Sequence, residues 1–416
     1  MSRIRHLDDV RVAKDPHRNL PSGSDEPDLP RVWLLSFGHF TNDLYGNLAT
    51  SLAPYFVIAG TLSAPAAGAL ILVYLAGSSV LQPLFGIISD RSGRRWFAVA
   101  GPAWIGCAMC LLIVAPTTGA IFILVAIGGI GTAAFHPQGA SMVNRLGGKS
   151  RGWTMSIFSL GGNLGFALGP ILATVMVAMG SGWTILFAIP GIFCSALLLR
   201  FAPTVKSVGM VDAGSSLRDA RANLGPLTLL VLVIAIRSGA MSAVIFLTPL
   251  YFHDQGFPAS WGSYGTTIFL LVGAVFGLYA GGLSDRIGRK PVVVWSLLAA
   301  APLILAVGFL PGLAAWPALA LAGGAILASN SVTVVQAQEL LPRNVGLAAG
   351  LTLGLGFGLS GVITFAVSAL TKQLTVQGTM HVAALLPLVA ALLAWMMPGA
   401  RPRLHIPAPQ TPVEVV

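Results

Sequence analysis

Apolar residues follow one another along this chain in stretches of about twenty, each closed by charged residues or by proline and glycine. A helix of that length crosses the roughly 30 Å hydrocarbon core of a bilayer, where only helices and closed barrels satisfy their backbone hydrogen bonds. The stretches are longer than the ten-residue alternating strands of a barrel. We therefore predict an all-α integral membrane protein with twelve transmembrane helices, at residues 32–59, 67–88, 96–115, 119–143, 152–178, 182–200, 225–252, 261–283, 291–310, 316–340, 345–370 and 380–397.

The composition excludes the main classes of water-soluble protein. Of 416 residues, 55% are hydrophobic and only 9% are charged, whereas a soluble globular chain carries about 25% charged residues. So few charges cannot cover several water-facing surfaces, which excludes a soluble enzyme, a disordered chain and a disulfide scaffold. The net charge of +10 would suggest a nucleic-acid partner in a soluble protein, but here it lies in the loops between spans, so we expect no nucleic acid.

Lysine and arginine mark one side of the membrane. Of the 24 basic residues, 22 stand before the first span, after the even-numbered spans or in the tail. Loops that stay in the cytoplasm keep such an excess of Lys and Arg, so both termini are predicted to be cytoplasmic and the number of crossings even. The exceptions are Lys372, in an opposite loop, and Arg237, inside the seventh span.

Two segments of the chain repeat at a shift of 195 residues. Gly86-Ile-Ile-Ser-Asp90-Arg91-Ser-Gly93-Arg94-Arg95 recurs as Gly281-Gly-Leu-Ser-Asp285-Arg286-Ile-Gly288-Arg289-Lys290. The even number of spans in each half makes the repeat parallel, an arrangement that places a substrate site between the halves near the midplane. The predicted organisation is a disordered arm at 1–30, a six-helix bundle at 31–201, a cytoplasmic linker at 202–224, a second bundle at 225–398 and a Pro-rich tail at 399–416.

The repeated loop, G-x-x-x-D-R-x-G-R-[RK], resembles the signature loop of the major facilitator superfamily. Three further stretches resemble the fosmidomycin resistance protein family of drug exporters. They are His39-Phe40-Thr41-Asn42-Asp43, Ala134-Phe135-His136-Pro137 and Gly161-Gly162-Asn163-x-Gly165-x-x-x-Gly169-Pro170. The resemblance implies a bacterial inner-membrane transporter whose two bundles rock about a central site.

The resemblance also assigns expected roles to the loops and to span 5. In the loops, Asp90, Arg91 and Arg94, with counterparts Asp285, Arg286 and Arg289, would form a conformational gate; the alternative is that these charges only set the topology. Glu339, beside Arg343, is expected to join a gate or an interface ion pair.

In span 5 the small residues form a groove for a neighbouring helix and the proline bends the span. This stretch resembles the antiporter motif, although Ala173 and Thr174 replace its glycine pair. The packing residues are Gly161, Gly165, Gly169 and Pro170.

Ionisable residues inside a membrane span are functional candidates by default. Asp43 lies near the predicted midplane, and the shift of 195 aligns Arg237 with its neighbour Asn42. One interpretation is a static buried ion pair. The other is that burial favours the protonated form of Asp43, which then exchanges protons, while Arg237 attracts an anion such as a phosphonate. Further candidates are His39 and His136 for proton coupling, where a structural role for His136 is the alternative, and Asn42, Tyr45, Asn163 and Asn330 for substrate binding.

These features predict a secondary active transporter that is not an enzyme. No Walker-type phosphate loop and no His, Cys and carboxylate cluster with ligand spacing occurs in the sequence, so we expect neither a cofactor nor a metal. The predicted function is proton-coupled efflux of a small anionic or amphiphilic drug such as fosmidomycin, by a monomer in the lipid bilayer. The alternative is a proton symporter that imports an organic anion or another small nutrient.

Overall fold

The computed structural model describes residues 26–85, 88, 95–148, 150–203, 223–341 and 350–397, and every regular element within them is helical. Short 3₁₀ turns join some helices, and a π-helical turn, Gly350–Gly356, precedes α12. The α-helices are α1 Leu29–Gly46, α2 Leu48–Ile58, α3 Ala64–Val80, α4 Trp96–Cys110, α5 Thr118–Leu146, α6 Arg151–Met179, α7 Ile189–Phe201, α8 Leu224–Asp254, α9 Ala259–Ile287, α10 Arg289–Val307, α11 Ala315–Leu340, α12 Phe357–Leu370, α13 Val376–Ala383 and α14 Leu386–Met396.

The helices account for the twelve predicted spans. Among the described residues, ten are long and apolar enough to cross a membrane, and Gly354–Leu370 is a shorter apolar helix. The remaining span, the first, is divided into α1 and α2 at Asn47, whose side chain donates a hydrogen bond to the Phe166 carbonyl at 2.7 Å. The predicted all-α membrane fold is therefore confirmed.

The internal repeat is visible in the positions where helices begin. α1 begins at Leu29 and α8 at Leu224, while α3 begins at Ala64 and α9 at Ala259. Both pairs are separated by the 195 residues that the loop motif predicts. The start of α1 lies slightly before the predicted boundary at residue 32, because the Asp28 side chain caps the helix by accepting a hydrogen bond from the Arg31 backbone. The predicted arm before residue 26, most of the linker, and the tail lie outside the described residues.

The glycine face of α6 lies against the backbone of α1. A methyl group at Gly161 would approach the Ser36 carbonyl oxygen to 2.2 Å, and one at Gly165 would approach the Phe40 carbonyl oxygen to 2.0 Å. Both distances are far inside van der Waals contact, so only glycine fits. Gly169 meets the Asn47 side chain in the same way, and Pro170 follows inside the helix. This close approach fixes the depth of α1 relative to α6.

The two bundles touch through a hydroxyl group on α2 and along the contact of α3 with α12. The Tyr55 hydroxyl on α2 is 2.9 Å from Thr174 Oγ1 on α6 and 2.9 Å from Ser263 Oγ on α9, so it joins the first bundle to the second. Gly68 on α3 lies against Ser368 on α12, and Ser79, near the other end of α3, lies against Gly358. The contact between the halves thus combines small residues with a few hydroxyl groups.

We expect Gly165→Ala to destabilise the protein by about 2 kcal/mol or more, because the added methyl group overpacks against backbone that cannot rotate away. Thermal unfolding of the purified protein in detergent measures this as a lower midpoint. Gly282→Ala is the matched control, since a methyl group there meets nothing within 4 Å, and helix propensity favours alanine. Equal midpoints for the two variants would show that α6 and α1 do not pack this closely.

Candidate functional site

Two histidines and one aspartate meet at the interface of α1 and α5. Asp43 Oδ2 is 3.2 Å from His39 Nε2, and Asp43 Oδ1 is 3.0 Å from His136 Nε2. The two Nε2 atoms are 3.1 Å apart. We call this cluster of His39, Asp43 and His136 the triad. Its side chains are 12%, 19% and 24% exposed respectively, so none of them is completely enclosed by protein.

Backbone carbonyls fix the orientation of both imidazole rings. His39 Nδ1 lies 2.8 Å from the Phe158 carbonyl oxygen on α6, and His136 Nδ1 lies 3.0 Å from the Thr132 carbonyl oxygen one turn earlier on α5. A carbonyl oxygen only accepts, so each Nδ1 carries a hydrogen and donates it. Each neutral ring then presents the lone pair of Nε2 toward the carboxylate. Two imidazole nitrogens and a carboxylate therefore face one another, an arrangement that favours binding of a proton or another cation among them.

Packing around His39 adds a constraint that the sequence motif did not reveal. The Phe158 ring stacks on the imidazole with centroids 4.1 Å apart, and a methyl group at Gly162 would lie 2.4 Å from the ring. The glycine leaves the space that the imidazole fills. The paired glycines Gly161 and Gly162 were the available signal, because one faces the backbone of α1 and the other faces His39.

Asn42 is buried beside the triad. Its Nδ2 donates to Asp43 Oδ1 at 3.2 Å, while its Oδ1 is buried without a hydrogen-bond partner. A hydrogen bond from a neutral amide helps to hold the carboxylate without adding charge. The unpartnered oxygen is free to accept from a donor on a bound molecule.

Arg237 lies on α8 and is 1% exposed. Its Nη2 donates to Ser238 Oγ at 3.0 Å, its guanidinium lies 5.9 Å from the centre of the Phe357 ring, and its Nε is buried without a partner. No carboxylate of the described residues lies within ion-pair distance of it. The interpretation as a static ion pair with Asp43 is therefore wrong, because Asp43 pairs with the two histidines instead.

The structure does not gather the other predicted substrate residues around the triad. Tyr45 is fully buried in the first bundle, where its hydroxyl donates to the Phe187 carbonyl at 2.6 Å and accepts from the Gly191 amide at 3.1 Å. Asn163 is exposed on α6. Asn330 is partly buried on α11, and its Oδ1 has no partner.

One end of the second bundle carries the predicted gate charges that the structure describes. Arg289, at the start of α10, pairs with Asp285 at the end of α9 at 2.5 Å and with Glu339 on α11 at 3.1 Å. Arg286 is exposed. Asp90, Arg91 and Arg94 lie outside the described residues, as does Arg343. Glu339 thus forms an ion pair between α10 and α11, within one bundle.

The structure brings together a possible metal-ligand cluster, the triad, that spacing along the sequence does not show. Its ligand atoms all lie within 4.8 Å of one another. Sequence spacing reveals only His39 and Asp43, which lie four residues apart on one helix, because His136 comes from another helix 97 residues away from His39. Two imidazoles and a carboxylate are donors suited to a transition metal.

Comparison with known proteins decides the family. Residues 35–352 match the sequence profile of the Major Facilitator Superfamily. The chain belongs to the major facilitator superfamily. As a member of that superfamily it is a multi-pass membrane transporter of small molecules and not an enzyme.

Individual relatives and structures agree with this assignment. The chain is 29% identical to the "Uncharacterized MFS-type transporter YfnC" of Bacillus subtilis (strain 168), over 89% of this chain and 93% of the relative. It is also 29% identical to the "Fosmidomycin resistance protein" of Escherichia coli (strain K12), over 86% and 90%. A bacterial homologue of the human lysosomal transporter Spinster, inward-facing and occupied, superposes with a TM-score of 0.72 at 15% identity, over 90% and 97%.

We expect Tyr45→Phe in this major facilitator transporter to cost about 1–3 kcal/mol of stability, because it leaves the Phe187 carbonyl and the Gly191 amide unpaired inside the first bundle. Substrate affinity should not change. Thermal unfolding and a substrate-binding titration measure the two effects, with Tyr279→Phe as the control, since Tyr279 is 77% exposed. Weaker substrate binding at unchanged stability would instead return Tyr45 to the substrate site.

Proposed function

We propose that this transporter exports a small anionic or amphiphilic drug such as fosmidomycin across the bacterial inner membrane in exchange for protons. The triad of His39, Asp43 and His136 is the proton site, and Arg237 recognises the anionic group of the drug. The observation that carries the proposal is that the two Nε2 atoms lie 3.1 Å from each other and 3.0–3.2 Å from the two carboxylate oxygens of Asp43, an arrangement that favours a cation. The relative named for fosmidomycin resistance supports the choice of drug.

The buried guanidinium supports an anionic substrate. An arginine without a counter-ion in a low-dielectric interior is costly, and removing its solvation is not repaid by Coulomb attraction. Arg237 keeps an Nε donor unpaired, and a guanidinium binds carboxylate or phosphonate oxygens in a fixed fork. With Asn42 and Asn330, each of which has an unpartnered amide oxygen, it forms the proposed substrate site. Asn163, exposed on α6, is included in it as a further polar contact.

Proposed coupling depends on alternating access rather than on charge repulsion. Loading the triad with a proton makes the site more positive, which by electrostatics alone favours an anion at Arg237. Binding of the proton and of the anion would then favour each other, which suits a symporter. In an antiporter the two loadings must therefore occur in opposite-facing states, with the contact at Tyr55, Thr174 and Ser263 opening in one of them. Import by symport is the second candidate function. It is favoured because a proton on the triad would strengthen the binding of an anion at Arg237.

The remaining roles follow the predicted topology. We propose that both termini are cytoplasmic, that the chain works as a monomer, and that Arg289 with Asp285 and Glu339 stabilises the cytoplasmic end of the second bundle. The ion pairs there are partly exposed, so each contributes less than about 1 kcal/mol. Weak pairs of this kind suit a gate that must open in each cycle.

The direction of proton flow tests the mechanism. Proteoliposomes that contain a trapped pH-sensitive dye receive fosmidomycin outside, without an imposed pH gradient. An antiporter moves protons out as the drug enters, so the lumen becomes alkaline, whereas a symporter makes it acidic. Protein-free liposomes are the control for passive leak. A lumen pH that does not respond to the drug contradicts proton coupling of either kind.

We expect Asp43→Asn to reduce the drug-dependent pH signal at least tenfold, because the carboxylate that holds the proton between the two histidines is lost. Asp254→Asn is the matched control, since Asp254 is exposed at the end of α8. Both variants are first compared in thermal unfolding to establish that they are folded. Wild-type proton flux in folded Asp43→Asn would remove Asp43 from the coupling site.

We expect Arg237→Met to weaken the apparent affinity for fosmidomycin at least tenfold, since a hydrogen bond to a charged group contributes about 1.5–3 kcal/mol. Its thermal stability should equal or exceed that of wild type, because a buried unpaired charge is replaced by an apolar side chain of similar length. Arg286→Met, at an exposed position, is the control. A less stable variant with normal affinity would mean that Arg237 has a structural role.

A further inference from the structure

The spacing of the triad atoms matches that of ligands around one small metal ion. Zinc binds imidazole nitrogen at about 2.0–2.1 Å and carboxylate oxygen at about 2.0–2.2 Å. Two ligands at these lengths, subtending the angles of octahedral or tetrahedral coordination, lie about 3.0–3.4 Å apart. The two Nε2 atoms are 3.1 Å apart, His136 Nε2 is 3.0 Å from Asp43 Oδ1, and His39 Nε2 is 3.2 Å from Asp43 Oδ2. With one ligand atom taken from each residue, the three atoms lie within 4.8 Å of one another. The two imidazoles and the carboxylate are therefore close enough to coordinate one metal ion.

The outer contacts of the triad are those of metal-binding histidines. A ligating imidazole usually donates its second N–H to a carbonyl or carboxylate, which fixes the ring and its tautomer. His39 and His136 both do so, through Nδ1, to the carbonyls of Phe158 and Thr132. The stacked Phe158 ring further limits rotation of His39. Both Nε2 lone pairs are thereby aimed at one point beside Asp43.

The donor set selects the kind of ion. Two imidazole nitrogens with one carboxylate suit Zn²⁺, Co²⁺, Ni²⁺ or Cu²⁺, whereas Mg²⁺ and Ca²⁺ prefer oxygen ligands alone. Three protein ligands leave further coordination positions for water, as in open metal sites. All three side chains are partly exposed, so none is completely enclosed by protein.

We propose that His39, Asp43 and His136 bind a divalent transition-metal cation of the Zn²⁺ class. The ion occupies the place that a proton takes in the proposed function, so it competes with protons and inhibits coupled transport. It also joins α1 to α5, since His39 and Asp43 lie on the first helix and His136 on the second. The binding itself depends only on the geometry of the triad, while the inhibition rests on the proposed proton coupling.

Cobalt titration of the purified full chain tests the binding. The protein carries a tag without histidine, is kept in detergent at fixed pH, and is titrated with Co²⁺ while the visible d–d absorption is recorded. The wild type should give a saturable band that Zn²⁺ abolishes and Mg²⁺ does not. His39→Gln and His136→Gln should each weaken Co²⁺ binding at least tenfold, while His253→Gln, at an exposed position, should bind like wild type.

Two results would overturn the inference: no Co²⁺-dependent band in wild type at millimolar Co²⁺, or equal affinity in wild type and in folded His39→Gln and His136→Gln variants. Thermal unfolding provides an independent measurement, because a bound ion raises the midpoint as its concentration rises. The Zn²⁺ sensitivity of proton flux is measured separately. Co²⁺ binding without drug-dependent flux means that only the proposed function fails, while flux without Co²⁺ binding means that only the metal site fails.

Discussion

Two backbone carbonyls, those of Phe158 and Thr132, turn the imidazoles of His39 and His136 so that their Nε2 atoms face Asp43. Inside a bilayer these contacts are persistent, because little water competes for the carbonyl oxygens. The orientation makes the site a cluster of acceptors, and a cluster of acceptors selects cations. Every functional property argued for the first bundle, for protons or for a metal ion, depends on this arrangement.

The arrangement depends in turn on how closely two helices approach. The Phe158 carbonyl belongs to α6 and His39 to α1, and they meet because Gly161 and Gly165 let α6 lie against the backbone of α1. Gly162 then leaves room for the imidazole itself. A stretch that resembles an exporter packing motif therefore also shapes the chemistry of the neighbouring helix. Packing and cation binding are two consequences of the same glycines.

The sequence predicted the fold more completely than the site, for physical reasons. The length of the apolar stretches, the positions of the basic loops and the repeat at 195 residues can all be counted directly along the sequence. The contact between His136 and Asp43 joins residues on two helices and depends on helix rotation, which hydropathy does not report. Arg237 shows the same limit: the repeat predicts its depth, but not that it lies beside Ser238 and Phe357 instead of Asp43. Tyr45 follows Asp43 by two residues, about 200° around the helix, and so points into its own bundle.

The separation of Arg237 from the triad has a consequence for coupling. If Asp43 and Arg237 neutralised each other directly, protonation of the carboxylate would release the guanidinium, and proton and anion would bind together. In this structure Asp43 contacts His39 and His136, while Arg237 lies in the second bundle without a carboxylate partner among the described residues. In the proposed mechanism Asn42 contacts Asp43 directly, whereas Arg237 is coupled to the triad through movement of one bundle against the other. Coupling by movement permits exchange in opposite directions, which direct charge pairing does not favour.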